Sequence, residues 1–210
     1  MSRRLASITL DNIADLPLPC RTCVFWEAGH RAPPGASKDD WMSAVLLDWG
    51  SCGRILYVDG EMAGYALYAP PEYVGGVPGY ATSPVSDDAI LLMTARILPE
   101  FGSAGLGRVL IQSVVKDALS RRGVRALEAF GDVRGEELAC VIPAGFLTAV
   151  GFKTVHRHPR YPRLRLDLRT VLSWRGEVEL ALERWIEAIR PDKSPAPIGV
   201  RPRTTEITAD

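Results

Sequence analysis

Residues 89–122 read AILLMTARIL PEFGSAGLG RVLIQSVVKDALSRR: an apolar run, a glycine-rich turn and a long amphipathic segment. The pattern predicts strand, turn and helix. Leu110, Ile111, Val114, Val115 and Ala118 recur at steps of one and three, which gathers them on one helical face, while Arg108, Gln112, Lys116 and Ser120 take the other. A helix of this kind packs on a sheet. Gly123 follows its last turn, and Arg121 and Arg122 suit the negative end of the helix dipole, so the stop is well marked.

The turn carries the chemistry. Gly102, Gly105 and Gly107 let the backbone come close to a ligand and point successive N–H groups outward, and the helix starting there adds a partial positive charge. Each charge-assisted hydrogen bond is worth roughly 1.5–3 kcal/mol, so a few of them hold a pyrophosphate without lysine or metal. A turn that merely reverses the chain is the alternative. A Rossmann turn needs glycines at its first, third and sixth positions, whereas these sit at first, fourth and sixth. A Walker turn needs Gly-Lys-Ser/Thr at its end, and this one ends Gly107-Arg108-Val109.

From Ile97 through Leu110 the sequence resembles the coenzyme A signature of the GNAT superfamily of N-acetyltransferases: an apolar strand, Pro-Glu-aromatic, then Gln/Arg-x-x-Gly-x-Gly/Ala and a helix. Pro99, Glu100, Phe101, Gly105, Leu106, Gly107 and Leu110 fall in register, and Gly102 stands where that family usually has Gln or Arg. A second resemblance lies at Gly151 and Phe152, the end of a motif whose Asn, Ala and Tyr positions are here Cys140, Pro143 and Leu147. The hydroxyl that commonly protonates the leaving thiolate is thus absent.

The resemblance spans about Ser7 to Leu168. It implies an α+β fold (α/β sandwich): the GNAT fold, a mixed central sheet of about six to seven strands flanked by helices and splayed between strands four and five. Acetyl-coenzyme A is the implied co-substrate, with no metal. Its binding residues would be Ile97, Leu98, Gly102, Ser103, Ala104, Gly105, Leu106, Gly107 and Arg108, with Cys140 beside them. The implied activity is transfer of an acetyl or other short acyl group to an amine. A catalytically weak or inactive relative that senses coenzyme A or binds a protein is the alternative, favoured by the replacements at Gly102, Cys140 and Leu147.

The 210 residues are 47% hydrophobic and 24% charged, which suits one good core and is too short for two ordinary ones. Lys+Arg and Asp+Glu both number 25, so no global field draws the chain to nucleic acid or an acidic membrane. No 18 apolar residues run together, and Asp11 interrupts the apolar part of the N-terminus; the expected compartment is the cytoplasm. Cys20, Cys23, Cys52 and Cys140 suit free thiols there. Cys20 and Cys23 have zinc-knuckle spacing without a second tight pair, and Cys140, between apolar neighbours, reads as a buried small hydrophobe more readily than as a nucleophile.

In chain order, Ser7–Leu10 reads as a first strand and Asn12–Leu16 as a helix capped by Asp11 and ended by Pro17 and Pro19. The irregular segment after it carries Phe25, Trp26 and Glu27, which either wall an acceptor pocket or plug the core. Asp39 or Asp40 caps a second helix with Trp41, Val45 and Leu46 inward. Arg54–Val58, Asp59-Gly60 and Met62–Leu67 make a hairpin. The long Pro/Gly-rich stretch that follows carries Tyr73 and Tyr80 and reads as functional or mobile. Val124–Phe130 is a strand parallel to 89–98, Pro143–Val150 a short helix, and Lys153–His158 with Arg163–Leu168 a closing hairpin bearing Arg157, Arg160, Arg163, Arg165 and Arg169. Those arginines face an anionic acceptor, the coenzyme's phosphate or RNA, or form a solvated face.

Trp26, Tyr73, Tyr80 and Arg96 are the candidate acceptor-binding residues. The family's glutamate base maps near Leu91, which leaves Glu128, Asp132 and Glu27 as the nearest carboxylates, or a water chain. The expected domains are 1–170 for the acetyltransferase unit, 171–190 for an amphipathic helix packed on it or on a second subunit as a homodimer, and 191–210 for a disordered tail. The acceptor, a small-molecule or peptide amine, has no code in the loops.

Overall fold

The computed structural model describes residues 2–29, 32–102, 105–135 and 140–171. Met1–Ser173 form one compact unit. The expected helix over 171–190 and tail over 191–210 fall, from residue 172 on, outside the described residues.

The sheet is built from β1 (Arg3–Ser7), β2 (Gly53–Val58), β3 (Glu61–Ala69), β4 (Ala89–Ile97), β5 (Ala126–Asp132), β6 (Ile142–Pro143), β7 (Lys153–His156) and β8 (Arg163–Asp167). Its order is β1-β2-β3-β4-β5-β8-β7, with two-residue β6 paired to β5 off that path. All pairings are antiparallel except β4 with β5 and β5 with β6. The β2–β3 hairpin turns at Asp59 and Gly60, both at positive φ, which matches the handedness of the flanking strands.

The helices are α1 (Leu18–Thr22), α2 (Lys38–Asp48), α3 (Leu106–Leu119) and α4 (Ala144–Ala149). The crossover between β4 and β5 is α3, whose Leu110, Ile111, Val114, Val115 and Ala118 are buried as their spacing predicts. Each large apolar side chain in that row contributes about 1.5–3 kcal/mol by leaving water. They pack with Leu147 of α4 on one face of the sheet. On the other face Met42 and Val45 of α2, Cys20 of α1 and Trp26 form the second half of the core. Asp117 anchors α3 to the sheet, accepting from Arg54 Nη2 at 2.7 Å and Tyr68 Oη at 2.8 Å. Arg121, expected to serve the helix dipole, instead donates to the Trp49 carbonyl and lies over the Trp49 ring at 4.5 Å.

The first forty residues depart from the sequence reading. The first strand is Arg3–Ser7, because Asn12 turns the chain by accepting from Thr9 N–H at 2.8 Å. Residues Ile13–Asp15 make only a single 3-10 turn, and the helix lies after Pro17, at Leu18–Thr22. Pro19 was expected to break structure; in a first turn its missing N–H costs nothing and its fixed φ favours the helix. Ser37, not an aspartate, caps α2 by accepting from Asp40 N–H at 3.1 Å. The long segment after β3 is pinned: Gly75 and Gly76 donate to the carbonyls of Glu27 and Trp26 at 2.9 and 2.8 Å, and Val74, Val77, Tyr80 and Val85 are buried.

Candidate active site at the sheet fork

Strands β4 and β5 pair only through Ala89–Leu91 and Ala126–Glu128, then separate. The cause is a bulge. Leu67 faces Thr94 while its neighbour Tyr68 faces Leu92, so Met93 is an extra residue that bends β4 away from β5 at the point where their pairing stops. Met93 and Thr94 therefore both turn to the face covered by α1 and α2. Beyond the bulge, Leu98 donates its N–H to Ala63 O at 2.9 Å. Strand alternation then turns the backbone groups of Arg96 toward β3 and those of Ala95 and Ile97 into the fork. Among the described residues the outward edge at Ile97 has no strand partner, whereas the Leu98 N–H is committed to β3.

The chain leaves β4 through a 3-10 turn, Pro99–Phe101, and enters α3 at Leu106. Gly105 is the N-cap, at φ +70, a left-handed geometry that costs any other residue about 1–2 kcal/mol. A Cβ there would meet no atom within 4 Å. Gly107 is glycine for a different reason: a Cβ would lie 2.6 Å from the Phe146 ring, so it lets α4 lie close against α3. No side chain caps α3, and the N–H groups of Leu106 and Gly107 have no acceptor among the described residues. Two donors without an acceptor among the described residues and the positive helix end are a fit for an anion. Arg108 donates to the Ala149 carbonyl at 3.3 Å, tying α3 to α4. Ser103 and Ala104, expected in the same cradle, lie outside the described residues.

The three candidate carboxylates differ sharply. Glu128 is fully buried, and both its oxygens are taken: Ser86 Oγ at 2.6 Å, Arg163 Nη1 at 2.9 Å and Arg165 Nη1 at 3.2 Å. Arg165 also grips Asp88, and this hydrogen bond holds the Asp88 carboxyl below the usual carboxylate range. Two of the five hairpin arginines are therefore spent on sheet carboxylates rather than on an anionic ligand. Glu27 is buried in an ion pair with Lys38, with Oε2 unpartnered among the described residues. Asp132 sits at the end of β5 where β6 pairs with it; Oδ1 accepts from Arg134 N–H at 2.9 Å, and Oδ2 is buried without a hydrogen-bond partner among the described residues. A carboxylate oxygen so placed has a lone pair available to a proton donor.

The aromatic candidates separate likewise. Trp26 and Tyr80 stack at 5.1 Å, and Tyr80 stacks on Phe130 of β5 at 4.4 Å. The Trp26 indole donates to the Cys140 carbonyl at 2.7 Å, binding this stack to the start of β6. Tyr80 has its hydroxyl pKa raised, by burial first and then by Tyr161, Cys140 and Asp132, so it stays a proton donor. Tyr73 is not at the fork: its carbonyl accepts from the Trp41 indole at 2.7 Å and its hydroxyl reaches Asp48, both on α2. Arg96 is exposed at the end of β4. Leu147, at the position of the family tyrosine, is core. Sequence reasoning missed the bulge at Met93, whose LLMT context has no glycine or other breaker to mark it.

No protein-family model matches the sequence, and no curated protein matches it. Solved structures do match. The aminoglycoside acetyltransferase AAC(6')-Ib in complex with coenzyme A aligns at TM-score 0.53 and 16% identity, over 79% of this chain and 95% of that one. The chain has the GNAT fold. An N-acetyltransferase of Staphylococcus aureus Mu50 aligns at TM-score 0.52 and 12% identity, over 80% of this chain and 99% of its own. The loading GNATL domain of CurA from Lyngbya majuscula gives 0.51 and 13%, over 81% and 100%. The GNAT sheet expected at six to seven strands has eight when β6 is counted, with the splay after Leu91 and Glu128. Among the described residues no group of three or more His, Cys, Asp or Glu is arranged to hold a metal, and no helix is long and apolar enough to cross a membrane.

Proposed function

We propose that the protein is an N-acyltransferase that moves an acetyl or other short acyl group from coenzyme A to an amine by direct attack in a ternary complex. The observation that supports this reading is that first-turn N–H groups of α3 and the outward β4 edge at Ile97, on either side of one short turn, have no partner among the described residues. Leu106 and Gly107 bind the pyrophosphate through their N–H groups. Acetyl-coenzyme A supplies the acyl group already activated as a thioester. The Ile97 N–H polarises the acyl carbonyl, the task of an oxyanion donor. Asp132 takes the proton from the attacking amine through Oδ2, and the Tyr80 hydroxyl returns one to the departing thiolate, in place of the family tyrosine lost at Leu147.

A second reading, a GNAT-fold protein that senses coenzyme A or binds a protein partner without turnover, is favoured by one observation. The cavity on the acceptor side, between Cys20, Cys23, Trp26, Glu27, Thr94 and Cys140, has about 10 Å³, the space of one water. Thiol release from acetyl-coenzyme A in the presence of polyamines, aminoglycosides and peptide N-termini separates the two. Acyl transfer predicts amine-dependent release, and predicts that Asp132→Asn lowers kcat by roughly 10²–10⁴-fold with coenzyme A affinity kept. Coenzyme A binding with no amine-dependent release supports the sensing reading instead.

A further inference from the structure

The cysteines form a group that the proposed reaction does not use. Cys20 and Cys52 are buried, whereas Cys23 and Cys140 are half-buried, and their sulfurs lie 3.7 Å apart across 117 residues of chain. A disulfide is about 2.04 Å long, so closure needs an approach of about 1.7 Å. The two residues sit on different elements. Cys23 ends α1 and opens the segment bearing Trp26 and Glu27, and Cys140 precedes β6, the strand that lies against Asp132 in the fork.

We infer that Cys23 and Cys140 are a redox pair that closes to a disulfide on exposure to a hydroperoxide and clamps the segment after α1 to the mouth of the fork. The existing hydrogen bond from the Trp26 indole to the Cys140 carbonyl already holds these two segments in register. In the first step the Cys23 sulfur attacks the peroxide, the O–O bond breaks, Cys23 becomes a sulfenic acid and the hydroperoxide leaves as an alcohol. In the second the Cys140 sulfur displaces that oxygen as water. The two thiols lose two electrons and two protons together, and one hydroperoxide is reduced to one alcohol and one water.

The roles are set by surroundings. Burial, and then the neighbouring Cys23, push the Cys140 thiol up to about 12, so it is not the group that meets the oxidant and serves as the resolving thiol. Oxidation of Cys23 removes the neighbour that resists ionisation of Cys140. Such a bond would be transient in a reducing compartment, as regulatory disulfides are. The pair rests on thiol geometry alone, independent of the acyl-transfer reading.

The test uses the full chain, reduced, then treated with one equivalent of hydrogen peroxide. The free-thiol count is expected to fall from four to two, non-reducing peptide mapping to find Cys23 joined to Cys140, and Tm to rise by roughly 5–10 °C, all reversed by dithiothreitol. Cys23→Ser is expected to abolish the cross-link and the Tm rise. A cross-link through Cys20, a bond between two chains, or Cys23 driven to sulfinic acid with Cys140 still free would overturn the inference. So would an unchanged thiol loss and Tm rise in Cys23→Ser.

Discussion

Glu128 and Asp132 lie four residues apart on one strand in opposite surroundings. Glu128 is enclosed by Ser86, Arg163 and Arg165 with no oxygen left over, while Asp132 keeps one oxygen without a partner among the described residues. Removing the Glu128 charge takes the carboxylate partner from Arg163, while Arg165 keeps Asp88 and Asp167. Glu128→Gln is expected to cost about 3–5 kcal/mol of unfolding free energy in urea titration while leaving coenzyme A affinity within about twofold. A large loss of turnover with unchanged stability would instead make Glu128 the base. The sequence could not separate these carboxylates, because what distinguishes them is Ser86, Arg163 and Arg165, brought to Glu128 from other elements. Trp26 and Tyr80 posed the same difficulty: an aromatic in a Pro/Gly-rich loop reads alike whether it lines a ligand site or packs in the core, and only the structure shows both stacked with Phe130.

At the level of elements, α3 and its turn were legible because local chemistry dictates them: apolar residues at helical spacing, and glycines where φ or close approach demands them. Gly107 shows the limit of that reading. Beside the ligand-facing role read from the sequence it has a packing role that the sequence did not show, since Phe146 occupies the place of its side chain. Gly107→Ala is therefore expected to destabilise the protein by about 1–3 kcal/mol through overpacking. Combining it with Phe146→Ala should recover part of that loss, a non-additivity measurable in a double-mutant cycle. Strictly additive losses would mean that α3 and α4 are not in contact there. The bulge at Met93 and the helix at Leu18–Thr22 were not legible, the first because no residue type announces it and the second because two prolines in six residues read as a break rather than as a helix start.

Across the whole unit, one sheet covered on both faces places the N-terminus of α3 and the outward edge of β4 on the two sides of a single turn. Fold class and the strand-helix-strand crossover follow from residues 89–131 almost alone, whereas the fork was expected only through the family resemblance because the bulge that opens it leaves no mark in the sequence, and the two irregular segments over the α1–α2 face lock each other through Gly75 and Gly76. In the proposed complex coenzyme A lies along the fork with its pyrophosphate on α3. Calorimetric titration with coenzyme A and with pantetheine, which lacks the pyrophosphate, tests it in wild type and in Gly105→Glu. That variant adds a carboxylate at a position where a Cβ has no neighbour within 4 Å among the described residues, at about 1–2 kcal/mol of backbone strain. The account predicts that it weakens coenzyme A by tenfold or more and leaves pantetheine affinity unchanged; equal coenzyme A affinity in the folded variant, or none in wild type, would contradict it.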